Sequence, residues 1–219
     1  MTRSTPLRAV LFDLDGTLFD SIELLLASMR HAFAEFDGVK PVEAEWIAGI
    51  GTPLITQLGD YGRSAAELLT LRDRYRTFQQ EHHFKLARIF PGALDALQTL
   101  KDRGLAMALV TSKGNALAQE ALDATGMAPF IPVLVGADSS ERHKPNPEPV
   151  LLALSLLGVD APDTVFVGDS PHDVNAGNAA GVITVAATWG AFSREQLAVA
   201  KPGYWLDDIV GLPALIDSL

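Results

Sequence analysis

Two aspartates stand two residues apart in Phe12-Asp13-Leu14-Asp15-Gly16-Thr17-Leu18, at the end of an apolar run. On a strand that spacing puts both carboxylates on one face. Carboxylates packed together repel, which raises a pKa unless a cation joins them. A hard divalent ion with oxygen ligands answers that need, and Mg²⁺ suits a site that also holds phosphate. The competing reading is a solvated turn, where Asp and Gly are common. A calcium loop is excluded, because its further ligands and closing Glu are absent.

Three more segments share this placement. Leu109-Val110-Thr111-Ser112-Lys113-Gly114 joins an apolar run to a helical pattern. Hydroxyls and free backbone N–H groups at a helix start form an anion site; plain helix capping by Thr111 or Ser112 is the alternative. His143-Lys144-Pro145-Asn146-Pro147-Glu148-Pro149 reads as a rigid loop, since the prolines cannot continue a helix interior. Lys144 offers a fixed positive charge to a phosphate or a carboxylate, against the ordinary alternative of a surface lysine. In Val167-Gly168-Asp169-Ser170-Pro171-His172-Asp173 acids again follow an apolar run. Asp169 suits the same cation and Asp173 its surroundings, unless Asp173 is only an acid favoured at a helix start.

The elements that must position these residues are legible as strands alternating with helices. Ala9–Leu14, Leu105–Val110, Pro132–Val135, Thr164–Val167 and Ile183–Ala186 are short apolar runs bounded by turn residues. Helical patterns over Pro91–Arg103, Asn115–Thr125, Pro147–Leu157 and Asp173–Ala180 each stop at a glycine. Regular alternation predicts an α/β fold, a doubly wound parallel sheet with helices on both faces. Tyr204, Trp205 and Leu206 read as a last edge strand followed by a short helix. From Phe19 to Leu86 the patterns are helical, with no convincing strand. Ile22, Leu25, Leu26, Met29, Phe33 and Phe36 share one face. Ser64-Ala65-Ala66-Glu67 reads as a capping box, opening a helix with Leu68, Leu71, Tyr75 and Phe78 on one side. The expected division is a core of 1–18 and 87–219 with an all-helical cap of 19–86 inserted after the first strand. That cap lies over the sheet's carboxyl edge, where open α/β sheets bind ligands.

Composition narrows the function classes. The 219 residues are 48% hydrophobic and carry a formal net charge of −10. No basic stripe remains for nucleic acid. The absence of cysteine excludes disulfides and a thiolate nucleophile. Met1 to Arg8 is short and polar, with no signal-peptide run after it, and no apolar run is long enough for a membrane span. A cytoplasmic protein without a membrane partner is the expectation; monomer and dimer remain open.

Taken together, Asp13-Leu14-Asp15-Gly16-Thr17, Thr111, Lys144-Pro145 and Gly168-Asp169-Ser170 with Asp173 resemble the four motifs of the haloacid dehalogenase superfamily, in order and across nearly the whole chain. The insertion is similar to that family's small helical (C1) cap. The segments around Lys144 and Asp169 look closest to the phosphoglycolate phosphatase and bacterial pyrophosphatase branch. The resemblance implies Asp13 as nucleophile, forming an aspartyl-phosphate, and Asp15 as acid and base. It implies Mg²⁺ held by Asp13, Asp169 and the backbone carbonyl of Asp15, with Thr17 and Asp173 orienting these ligands. Thr111, Lys144 and the backbone N–H groups near Leu14 and Ser112 would bind the phosphoryl group. Gly51 and Thr52 would enter the site from the cap, and a small phosphorylated metabolite would be the substrate. His82, His83 and Lys85 lie near the return crossing, where the histidines either meet an anionic leaving group or sit on the surface.

Three other readings compete. β-Phosphoglucomutases share the motifs and cap but tend to carry a histidine shortly after the first motif, where Phe19-Asp20-Ser21 has none. Response-regulator receivers are about half this length. A silent binding protein on this fold is opposed by retention of every acid and of Lys144.

Overall fold

The computed structural model describes residues 6–219; the polar reading of Met1 to Thr5 lies outside them. The first half of the chain runs β1 (Ala9–Phe12), β2 (Phe19–Asp20), α1 (Ile22–Phe33), α2 (Glu43–Ala48), α3 (Leu54–Gly59), α4 (Ala65–Leu86) and β3 (Arg88–Ile89). Then follow α5 (Ala93–Asp102), β4 (Ala106–Val110), α6 (Asn115–Thr125), β5 (Val133–Val135), α7 (Glu148–Leu157) and β6 (Thr164–Gly168). The chain ends with α8 (Pro171–Ala180), β7 (Ile183–Ala187), α9 (Arg194–Ala198), β8 (Tyr204–Leu206) and α10 (Leu212–Ser218).

Six of these strands form one parallel sheet in the order β5-β4-β1-β6-β7-β8. Strand β1 lies between β4 and β6, with Phe12 level with Leu109 and Val167. Alternation along β1 feeds two cores. Val10 and Phe12 pack on one face with Leu97, Leu109, Leu122 and Val167. Leu11 packs on the other with Val110, Val150, Leu154 and Phe166. Burial on both faces is why these strands read as continuous apolar runs. The strand order reverses at β1, so the loops after β1, β4 and β6 open into one crevice.

The stretch read as wholly helical needs a correction. Phe19–Asp20 pairs antiparallel with Arg88–Ile89, a two-stranded ribbon through which the chain leaves for α1 and returns from α4. Two-residue rungs carry no periodicity for a sequence reading to detect. Between them, α1 and α4 pack together around Leu25, Met29, Phe33, Leu71 and Tyr75. Phe33 meets Trp46 and Tyr61 edge-on, at ring centroid distances of 6.0 and 5.4 Å, an arrangement that adds to their area burial. Ser64 caps α4 by accepting from the Glu67 N–H, but Glu67 turns its carboxylate to Arg63, so half of the expected box forms. No helix among the described residues is long and apolar enough to cross a membrane.

Candidate active site

Strand β1 delivers Asp13 into the crevice. Its N–H continues the ladder to the Val167 carbonyl at 2.9 Å, and its side chain is buried. The chain then turns tightly, with the N–H groups of Thr17, Leu18 and Phe19 all pointing at the Leu14 carbonyl. Gly16 sits in this turn at φ +84°, and a Cβ there would stand 2.3 Å from Asp169 Oδ2. Both facts require glycine.

Lys144 reaches in from the loop before α7 and is buried, not at the surface. Its Nζ donates to Asp13 Oδ1 at 2.8 Å, Asp173 Oδ1 at 2.5 Å and the Val110 carbonyl at 3.1 Å. Asp173 also closes a capping box at the start of α8, accepting from the N–H and hydroxyl of Ser170 at 3.1 and 2.6 Å. The helix-start reading of Asp173 therefore holds alongside its place in the site. Asp169 accepts from the Thr17 hydroxyl at 3.1 Å and the Ala191 N–H at 2.8 Å.

Carboxylate oxygens of Asp13, Asp169 and Asp173 all lie within 4.8 Å of one another, and all three residues are buried. Three carboxylates face one ammonium. Burial pushes the Asp13 carboxyl up to about 7; Lys144 pulls it down, while Asp173 and Asp15 push it further up. Burial first, then Asp13 and Asp173, hold Asp169 well above the usual carboxylate range. Burial opposes the charge of Lys144, but Asp13 and Asp173 outweigh it and raise its pKa. Such an excess of buried negative charge, offered entirely through oxygen, fits a hard divalent cation.

Asp15 stands apart from this cluster. Both its oxygens accept from Lys113 Nζ, at 2.9 and 2.8 Å, and Oδ1 also accepts from the Ser21 hydroxyl at 2.6 Å. The Asp15 side chain therefore lies away from the cation cluster, which leaves only its backbone carbonyl for the expected ligand role. Lys113 is the residue that the sequence reading passed over, although its loop was singled out. A cavity of about 230 Å³ is lined by Asp13, Asp15, Thr111, Ser112, Gly51 and Thr52, among others. Neither Thr111 nor Ser112 caps α6: Thr111 Oγ1 accepts from the Lys113 N–H, and Ser112 donates to the Gly51 carbonyl at 2.5 Å. The capping alternative for this loop thus falls away, and Ser112 instead ties the core to the cap. His82 contacts its own helix at the Phe78 carbonyl, and His83 is buried with its ring 5.3 Å from Phe19. His83 is thus neither at the surface nor on the cavity wall, and Lys85 is exposed.

Residues 10–187 match the family model described as haloacid dehalogenase-like hydrolase. Pyrophosphatase PpaX of Bacillus pumilus is 36% identical over 218 residues, covering 100% of both chains. Pyrophosphatase PpaX of Bacillus velezensis is 35% identical over 205 residues, covering 93% of this chain and 94% of that one. The crystal structure of a predicted phosphoglycolate phosphatase from Haemophilus somnus superposes with a TM-score of 0.85 at 25% identity, covering 97% of this chain and 99% of that one.

Proposed function

The chain belongs to the haloacid dehalogenase-like hydrolases, and from that premise we propose that it is a Mg²⁺-dependent phosphatase acting on a small phosphorylated metabolite through an aspartyl-phosphate on Asp13. Pyrophosphate and phosphoglycolate, the substrates named by its relatives, are the first candidates. The observation that carries the reading is the convergence of Asp13, Lys144, Asp169 and Asp173, drawn from three separate loops onto one crevice.

Asp13 and Asp169 would hold the cation, together with the Asp15 carbonyl by family resemblance, while Asp173, whose oxygens accept from Lys144 and Ser170, would orient the site around it. When bound, it neutralises charge on the phosphoryl oxygens and on the carboxylates facing them. The Asp13 carboxylate attacks phosphorus, and the bond to the leaving oxygen breaks. Lys144 supports that attack with a fixed positive charge and keeps one Asp13 oxygen oriented. Thr111, on the cavity wall, offers its hydroxyl to the phosphoryl group. Asp15 gives a proton to the leaving oxygen. Water then attacks the aspartyl-phosphate and loses its proton to Asp15. Phosphate leaves, and the Asp13 carboxylate is restored.

Phosphate release from pyrophosphate, phosphoglycolate and an aryl phosphate in the presence of Mg²⁺ tests this reading. Asp13→Asn is expected to fold and to lose at least about a thousandfold in kcat, as nucleophile removal does elsewhere. Turnover by this variant near the wild-type rate would take the nucleophile role from Asp13. Isomerisation of a sugar phosphate without phosphate release would favour the mutase reading instead.

A further inference from the structure

Helix α4 carries a buried stripe at every fourth residue: Leu71, Tyr75, Gln79 and His83. Side chains four apart share one helix face. Leu71 and Tyr75 pack into the cap's core. Beyond them the stripe turns polar, at a position where an apolar side chain is the ordinary choice. Gln79 is only 4% exposed, yet its carboxamide makes no side-chain hydrogen bond among the described residues. It lines the same cavity as Asp13, Asp15 and Lys113. Its amide atoms are therefore not sealed inside the protein but open to the cavity, where they can hydrogen-bond a ligand. Arg76, nearly one turn earlier on α4, lines the same cavity and adds a cation to this wall.

We infer that Gln79 is the cap's specificity-determining residue, hydrogen-bonding the oxygen functions of a small polar leaving group while Arg76 meets its negative charge. This rests on hydrolysis at Asp13 as proposed above. The phosphoryl group is held by the core loops, so what faces α4 is the part that departs. The cavity of about 230 Å³ holds roughly the volume of eight waters at about 30 Å³ each. With a phosphoryl group inside, the remaining room suits a leaving group of a few heavy atoms.

Gln79→Leu tests the assignment by selectivity. The readout is kcat/KM for pyrophosphate and phosphoglycolate, divided by kcat/KM for p-nitrophenyl phosphate, whose leaving group presents an aromatic face. The ratio is expected to fall tenfold or more, the usual scale for losing a hydrogen bond that a site is built to make. The melting temperature is expected to stay at or above that of the wild type, since leucine replaces an amide with no partner. An unchanged ratio, an equal fall for all three substrates, or a clear loss of thermal stability would each overturn the inference. So would a wild-type enzyme that hydrolyses only the aryl ester. Asp13→Asn separates this outcome from failure of the mechanism itself: if it remains active, the mechanism falls, whatever Gln79 does.

Discussion

Lys113 Nζ contacts both carboxylate oxygens of Asp15, at 2.9 and 2.8 Å, across 98 positions of sequence. The pair is nearly enclosed, with side-chain exposures of 5% for the lysine and 14% for the aspartate. Breaking a pair of this kind by removing one partner leaves an uncompensated charge and typically costs about 3–5 kcal/mol when burial is complete, less here. Lys113→Met is therefore expected to lower both thermal stability and phosphate release. Asp15→Asn in the same chain should recover part of the stability, because the stranded charge is gone. A double-mutant cycle by urea unfolding measures this; a coupling below about 0.5 kcal/mol means that the pair is not coupled.

The charge count at the metal cluster gives two variants opposite signs. Lys144→Met leaves three buried carboxylates without their ammonium and is expected to destabilise the metal-free protein by about 3–5 kcal/mol. Asp169→Asn removes one like charge and is expected to stabilise the metal-free protein by about 1 kcal/mol. Its amide retains an oxygen for the Ala191 N–H and a donor for the Thr17 hydroxyl, so no polar group is stranded. Mg²⁺ should raise the melting temperature of the wild type, chelator should reverse this, and Asp169→Asn should show little response. Thermal scans with Mg²⁺ and with chelator read all three, and a full Mg²⁺ response in Asp169→Asn would refute the assignment of Asp169 as a ligand.

His83 predicts a slope of stability with pH. Burial holds its pKa below the ordinary 6.5; nearby Lys113 acts in the same direction, while Asp15 and Glu120 oppose it. Near and below pH 6.5 the unfolded chain therefore binds a proton that the folded chain refuses. Stability contributed by neutral His83 is present above that value and is lost as pH falls through it. His83→Gln should flatten the decline in urea midpoint between about pH 7 and pH 5.5. His172, whose pKa is also lowered by burial, keeps its share in both proteins. Identical slopes would remove His83 from the titration.

The parts of this site legible in the sequence are those with a one-dimensional signature. β1, β4, β6 and β7 lie within one or two residues of their apolar runs, because both faces of the sheet are buried and the strands themselves are almost wholly apolar. Three of the four loops are legible because acids and hydroxyls follow those runs directly, and the loop of Lys144 is legible by its prolines. Lys113 carries no such signal, because a loop lysine is ordinarily solvated, and only the three-dimensional fold brings Asp15 to it. The β2–β3 ribbon is too short for any period. Gln79 and His83 hide in α4 because a polar residue on a buried stripe weakens the very pattern that reveals a helix. Backbone donors such as the Ala191 N–H carry no side-chain signal at all.

That last case yields a variant the motifs do not suggest. The loop after β7 presents Trp189, Gly190 and Ala191 to the site. Trp189 Nε1 donates to the Thr17 carbonyl at 3.0 Å, and the Ala191 N–H holds Asp169. Between them Gly190 lies flat against Asp169, where an added Cβ would stand 2.1 Å from Oδ2 and 2.3 Å from the aspartate's own Cβ. No contact that close survives, so Gly190→Ala must move either the loop or Asp169. The orientation of a metal ligand depends on such supports, whose loss typically costs about 10–100-fold in affinity or activity. Gly190→Ala is expected to shift the Mg²⁺ dependence of phosphate release to higher concentration by that order and to shrink the Mg²⁺-induced rise in melting temperature. Gly59→Ala, at the end of α3 with nothing within 4 Å of the added carbon, is the matched control and should leave both unchanged. Equal Mg²⁺ titrations for the two alanine variants would show that the loop yields without disturbing Asp169.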